Sequence, residues 1–304
     1  MNELILRDVT LRDGLQLAGK LLDTGEKVAL IRLLLQAGVP ELEIGSMARG
    51  DLVPPMADTP EVIAALTPEE LERCWIWVAT PRHVVKAAAA GARNFQYCLS
   101  VSDAHNRANI GRTAEASVAA MPEAVNHATD VGGRIQLTLA TAFTCPFDGP
   151  VDPDRVLQII GDPRTAGSDD VVLADTLGQA APAQVQDLFE AAAPVAGNRR
   201  LVFHGHDTWG MGVANSLAAQ RGGATVVDGA LGGLGGCPFA PGASGNTATE
   251  DLLFATQPSY LTPEVFGTLV RAGEDLLARL GERPRSRAAE GARSEARAFG
   301  WVIR

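Results

Sequence analysis

Short apolar runs alternate with longer stretches of helical periodicity along nearly the whole chain. The runs fall at residues 4–6, 42–44, 75–79, 95–99, 135–139, 171–174, 201–203 and 226–227 with its flanks, giving eight candidate strands. Helical patterns fill the gaps at residues 25–36, 60–66, 81–90, 113–130, 153–160, 182–193 and 213–221, with Val28, Ile31 and Leu35 marking one apolar stripe. Several of these open with Thr or Asp before Pro, a helix start signal because proline suits the first helical turn. Strand followed by helix, repeated eight times, reads as parallel βα units rather than a sandwich. Closing all eight gives the fold class α/β, a (β/α)8 TIM barrel. The alternative, an open doubly wound sheet, lacks a glycine fingerprint after the first strand. Residues 262–280 form one further helical pattern, and residues 281–297 are rich in Arg, Ala, Glu and Ser. The expected organisation is a catalytic barrel over residues 1–261 and a C-terminal helical extension over 262–304. The basic run Arg283, Arg285 and Arg287 reads as a solvated tail.

Composition narrows the function. The chain has 304 residues, is 46% apolar and 20% charged, and can bury a sizeable core. A net charge of −10 without a basic stretch argues against nucleic-acid binding. Four scattered cysteines, Cys74, Cys98, Cys145 and Cys237, form no CxxC pair, so neither a zinc ribbon nor a disulfide framework is indicated. With no signal peptide and no apolar run of about 20 residues, the expected location is the cytoplasm, away from membranes.

Chemistry-bearing residues gather where the apolar runs stop, which is where a (β/α)8 enzyme places its active site. The first run leads into Arg12, Asp13 and Gln16. The second carries Glu41 and Glu43, two apart and on one strand face, and a buried carboxylate without a partner is costly. The fourth ends in Ser100 and Ser102, followed by His105 and Asn109, and the sixth in Asp175 and Thr176. The seventh ends in His204-Gly205-His206-Asp207; the two histidines, of five in the chain, project together from one strand face. After the eighth comes a glycine-rich stretch, GALGGLGGCPFAPGASGN, ending at Asn246. Glycines let backbone approach a ligand, and Cys237 braced by prolines suggests a lid carrying a reactive thiol. Cys74 and Cys98 read as core, and Cys145 as a loop residue without an assigned role. Asp13, His204, His206 and Asn246 together offer two nitrogens and two oxygens, a set suited to Mg²⁺ or Mn²⁺, with Zn²⁺ or Co²⁺ as alternatives. A metal with open positions beside an arginine and a carboxylate points to enolate stabilisation in a carbon–carbon bond enzyme, or to a metal-dependent hydrolase.

At these residues the chain resembles the 3-hydroxy-3-methylglutaryl-CoA lyase branch of the DRE-TIM metallolyases. LRDGLQ, HGHDTWG and GLGGCPFAPGASGNTATEDL are similar to that branch's three signatures, in order, across residues 8–253. The resemblance implies that Asp13, His204, His206 and Asn246 bind a divalent cation, and that Arg12 stabilises the thioester enolate. It implies proton transfer by Cys237, with Asp175 and Glu43 positioning metal, water or substrate, and His204 also shuttling protons. Gln16, Ser102, Asn109, Lys20 and Arg49 are the implied substrate contacts, with Lys20, Arg49, Arg107 and Arg112 candidates for the CoA phosphates. The implied reaction is a retro-Claisen cleavage of 3-hydroxy-3-methylglutaryl-CoA to acetoacetate and acetyl-CoA, with no organic cofactor beyond the CoA thioester substrate. Paired barrels among relatives imply a homodimer. The sequence departs from the branch at Leu17-Ala18-Gly19-Lys20, at Met47-Ala48-Arg49-Gly50-Asp51 and at Phe239. These departures leave the acyl group open to a related 3-hydroxy-3-methylacyl-CoA such as citramalyl-CoA. A condensing acyltransferase of the isopropylmalate or homocitrate synthase type is the further alternative.

Overall fold

The computed structural model describes residues 3–236, 245–296 and 298–303. Eight parallel strands close into a barrel: β1 (Ile5–Asp8), β2 (Glu41–Ser46), β3 (Cys74–Val78), β4 (Asn94–Ser100), β5 (Arg134–Ala140), β8 (Asp170–Asp175), β9 (Arg200–Gly205) and β10 (Ala224–Gly229). Two-residue strands β6 (Thr144–Cys145) and β7 (Gly149–Pro150) pair antiparallel outside the barrel. The order around the barrel is β1-β10-β9-β8-β5-β4-β3-β2, so each barrel strand lies beside its chain neighbours. Every apolar run read as a strand overlaps one of these eight, with Leu4 and Ala79 falling just outside β1 and β3.

The two faces of each strand serve different cores. One face of each strand joins the ring of helices: Leu6, Leu42, Ile76, Tyr97, Leu137, Leu173, Phe203 and Val227 belong to the main apolar cluster. The alternate residues point into the barrel, where Ile5, Val172, Val202 and Val226 form a small layer and Trp77, Ala79, Cys98 and Ala140 another. Polar side chains fill most of the rest, among them Arg7, Glu41, Gln96, Gln136 and Asp228, all buried. The strict period of two in side-chain direction produces this split.

The helices start as their caps dictate. Asp23 and Glu26 form a reciprocal capping box at Thr24–Gln36, and Thr80 accepts from the His83 amide ahead of Pro81–Ala90. A helix at Asp103–Ile110 was not expected from the sequence. Ser102 is its N-cap, but eight residues with few apolar positions gave little periodicity to read. The helix Pro263–Leu280 sends Leu269, Leu276, Leu277 and Leu280 into the main core, and Arg287–Ala292 packs beside it with Trp301 and Ile303. Arg285, read as part of a solvated tail, donates from Nη1 to the Gly233 carbonyl at 2.9 Å. Among the described residues, no helix is long and apolar enough to cross a membrane.

Glu250 supports the glycine-rich stretch from behind, accepting the Gly232 amide on both carboxylate oxygens at 2.9 Å. Burial pushes its carboxyl up to about 8. A raised folded-state pKa means the folded chain holds a proton that the unfolded chain releases above the ordinary glutamate value, so this group lowers stability as pH rises toward 8. Burial of Asp8, raised to about 6, acts in the same direction over a lower range. Glu250→Gln should therefore keep more of its pH 5 stability at pH 8 than the wild type does. Urea denaturation at both pH values checks this, and an unchanged difference would remove Glu250 from the pH response.

Candidate active site

Three strand ends build the site. After β1 the chain makes one π-type turn, Thr10–Gly14, in which Leu15 N–H reaches the Thr10 carbonyl at 2.9 Å and Gly14 N–H the Val9 carbonyl at 3.1 Å. Such five-residue turns are rare and recur at functional sites; this one carries Arg12 and Asp13 to the barrel mouth. Strand β9 supplies His204, and His206 follows it, paired through its backbone with Asn246. Glycine is required between the histidines, because a Cβ at Gly205 would lie 2.5 Å from the Phe203 ring.

Asp13 is the junction. Its Oδ2 accepts from Arg12 Nη1 and from Gln16 Nε2, the latter at 3.2 Å. Its Oδ1 accepts from Asn246 Nδ2 at 3.1 Å and lies 3.4 Å from His206 Nε2. Burial alone would raise this carboxyl, but Arg12 and the two histidines outweigh it and hold Asp13 well below the usual carboxylate range. Ligand atoms of Asp13, His204 and His206 all lie within 4.8 Å of one another. Asn246 Oδ1 is buried without a hydrogen-bond partner, an acceptor that a cation would satisfy. This donor set fits a divalent metal.

Arg12 is held on three sides. Its guanidinium lies over the Trp77 ring at 5.1 Å, Nη1 reaches Asp13, and Nε is 3.8 Å from Glu43 Oε1. Glu43 is 1% exposed, and burial pushes it up to about 7 against the pull of Arg12 and Arg7. Gln96, with its amide turned to donate to Glu43, accepts from Thr138 Oγ1 at 3.2 Å and closes the layer behind the arginine.

These groups open onto a cavity of about 90 Å³. Arg12, Asp13, Gln16, His204 and His206 line it together with Trp77, Gln96, Cys98, His105, Asn109, Thr138 and Thr176. Cys98, expected as core, is buried in the inner layer with Trp77, Ala79 and Ala140 and also lines the cavity, its thiol pushed up to about 11 by burial. It therefore faces the cavity as a protonated thiol. Burial also lowers His105 to about 4.

Of the residues expected at the site, the structure brings Arg12, Asp13, Gln16, Asn109, His204 and His206 to the cavity, with Glu43 and Asn246 directly behind. Among the described residues, the others do not line the cavity. Asp175 is fully buried and accepts the Gln179 and Ala180 amides at 3.1 and 3.0 Å, stapling the turn after β8. Ser102 caps its helix, and Lys20 donates to the Arg279 carbonyl at 3.1 Å. Arg49 is exposed and paired with Asp51, and Arg112 donates to the Ala79 carbonyl at 3.1 Å. Charge alone selected Lys20, Arg49 and Arg112, and nearby carbonyls and a neighbouring carboxylate account for where they point. Cys237 and Phe239 lie outside the described residues. Trp77, Gln96 and Thr138 were missed, although polar or bulky residues at alternate positions of an apolar run are the mark of an inward barrel face.

A closed (β/α)8 barrel with an aspartate, two histidines and an asparagine around one point, and an arginine beside them, defines a barrel enzyme with a candidate divalent-metal centre. The HMGL-like family model matches residues 3–269, and the chain belongs to that family and is a lyase. An (R)-citramalyl-CoA lyase from Chloroflexus aurantiacus is 40% identical over 264 residues, 83% of this chain and 83% of that protein. A hydroxymethylglutaryl-CoA lyase from Pseudomonas mevalonii is 33% identical, covering 91% of this chain and 92% of that protein. Among solved structures, an HMG-CoA lyase from Acinetobacter baumannii in complex with coenzyme A and 3-methylmalate is 33% identical. It superposes with a TM-score of 0.88 over 97% of this chain and 96% of its own.

Proposed function

We propose that the chain cleaves a 3-hydroxy-3-methylacyl-CoA to acetyl-CoA and a keto acid, with 3-hydroxy-3-methylglutaryl-CoA as substrate and acetoacetate as the keto acid. The observation that carries the reading is Arg12 and the Asp13–His204–His206–Asn246 donor set meeting at one small cavity in a chain of this family. Asp13, His204, His206 and Asn246 Oδ1 would hold the divalent cation, Mg²⁺ or Mn²⁺ on this mixed set of two nitrogens and two oxygens. When bound, the cation polarises the substrate's hydroxyl and carboxylate oxygens.

The remaining roles belong to this chain's side chains. The tertiary hydroxyl loses its proton to a base at the cavity. The C2–C3 bond breaks, its electron pair passes to the thioester as an enolate, and the keto acid leaves. Arg12, stacked on Trp77 and braced by Glu43, donates to the enolate oxygen without reorganising. Cys237, assigned on sequence resemblance, returns a proton to C2. Asp175 holds the backbone turn beside the site, and Gln16 orients Asp13. Substrate binding by Gln16 and Asn109 and a cytoplasmic homodimer belong to the same reading, the latter resting on the resemblance alone.

A second reading, citramalyl-CoA cleaved to pyruvate and acetyl-CoA, is favoured by the 40% identity to the Chloroflexus aurantiacus enzyme. The Acinetobacter baumannii neighbour, bound to CoA and a five-carbon hydroxy diacid, supports the acyl-CoA class common to both readings. Metal-loaded protein offered the two thioesters in parallel tests them. Acetoacetate from the first upholds the leading reading, and pyruvate from the second alone replaces its acyl group. Silence with both overturns both acyl groups and points to a different acyl chain or to the condensing acyltransferase. EDTA should abolish turnover, and Mg²⁺ or Mn²⁺ should restore it; turnover indifferent to chelator would refute the metal.

A further inference from the structure

The interior of a (β/α)8 barrel is ordinarily packed with branched apolar side chains. Here one interior layer carries an ion pair instead. Arg7 on β1 and Asp228 on β10 are register partners, 0% and 1% exposed, with Arg7 Nε donating to Asp228 Oδ1 at 2.8 Å. Asp228 Oδ2 in turn lies 3.0 Å from His204 Nδ1 on β9, the next strand of the barrel. Arg7 is itself fixed by Gln136 Oε1 on β5 at 2.8 Å, and its guanidinium lies over Trp75 at 5.7 Å. Its Nη1 is 4.0 Å from Glu41, which accepts from Trp75 Nε1 and Arg200 Nη1, both at 2.9 Å.

We propose that Asp228 and Arg7 are positioning residues for His204. Asp228 accepts the Nδ1 proton and thereby leaves Nε2 as the unprotonated nitrogen presented to the cavity, while Arg7 holds the carboxylate in place. A carboxylate is the natural device for this, because it accepts and never donates when ionised, so only the Nδ1–H tautomer satisfies it. The arginine answers the cost of burying that charge. A buried ion pair adds little stability over well-packed apolar side chains, and retention of one beside a candidate metal ligand points to orientation as its use.

The proposal rests on His204 being a ligand in the metal-site reading, and its test separates the two. Mn²⁺ binding to the wild type and to His206→Ala, followed by titration calorimetry, establishes whether the site takes the metal at all. Asp228→Asn is then measured for Mn²⁺ affinity and, in metal-free protein, for the His204 tautomer by ¹⁵N NMR. Because Arg7 would lose its counter-ion there, Arg7→Gln/Asp228→Asn serves as a second variant with a neutral, hydrogen-bonding layer. The expected result in either folded variant is Mn²⁺ affinity lower by about 10- to 100-fold, with His204 redistributed toward the Nε2–H tautomer. A purely structural ion pair would move neither quantity. Folded variants with wild-type affinity and an unchanged tautomer overturn the proposal, whereas absence of Mn²⁺ binding in the wild type overturns the metal-site reading.

Discussion

Arg12→Met is expected to lower kcat by about 10²–10³-fold while the protein still binds one divalent cation per chain, the scale found when a pre-aimed donor to an oxyanion is removed. Methionine keeps much of the side chain's length and its packing on Trp77 but carries no charge. The guanidinium's contribution is expected to fall on kcat rather than on KM, because the enolate oxygen bears its charge only as the carbon–carbon bond breaks. Arg12→Lys should recover only part of the loss. A lysine ammonium is a point charge on a flexible stem, whereas the planar guanidinium lies flat on Trp77 and faces both Asp13 and Glu43. Steady-state kinetics on both variants, with metal content by atomic emission, checks the assignment. A drop in KM-limited binding with kcat intact would move Arg12 from enolate stabilisation to substrate capture.

The barrel was readable because its signal is periodic. Leu6, Tyr97, Leu137 and Phe203 sit in apolar runs bounded by turn residues, and each lies on the face that meets the helices. The site was partly readable for a related reason. Arg12-Asp13 and His204-x-His206 fall where strands end, and the barrel gathers strand ends at one mouth. The positions that escaped are those whose meaning comes from a neighbour across the barrel. Arg7 looks like an ordinary charge near the chain start until β10 brings Asp228 beside it, 221 residues away in sequence. Trp77 and Cys98 belong to a buried inner layer, and only the approach of Arg12 to the Trp77 ring and the placing of the cavity show that they also line the site. The converse error has the same origin. Lys20 and Arg49 were selected by charge and chain position, yet one donates to a backbone carbonyl and the other to Asp51. Exposed ion pairs of that kind form wherever a partner is near, and spacing in the sequence does not reveal the partner.

Asp13→Asn should be more damaging than Arg12→Met, because it removes the metal as well as the arginine's anchor. The change is isosteric and lies in a turn held by backbone hydrogen bonds from Gly14 and Leu15, so the fold should survive it. What changes is charge. Asp13 is the one carboxylate in the cluster formed with His204 and His206, and it also accepts from Arg12, Gln16 and Asn246. An asparagine amide supplies one acceptor oxygen and two N–H donors in place of two acceptor oxygens. In place of Oδ2 its NH₂ group would face the Arg12 and Gln16 donors, and in place of Oδ1 the Asn246 amide donor, each of which needs an acceptor. Metal affinity should fall by at least the roughly 10- to 100-fold lost when an outer-shell partner is removed, and turnover should fall to background at micromolar Mn²⁺. Saturating Mn²⁺ should restore occupancy before it restores rate, since Arg12 would still lack its partner. Calorimetric Mn²⁺ titration of Asp13→Asn, run beside Arg12→Met and the wild type, separates the two roles. If Asp13→Asn binds Mn²⁺ as the wild type does, the aspartate serves only to aim Arg12 and the metal is held elsewhere.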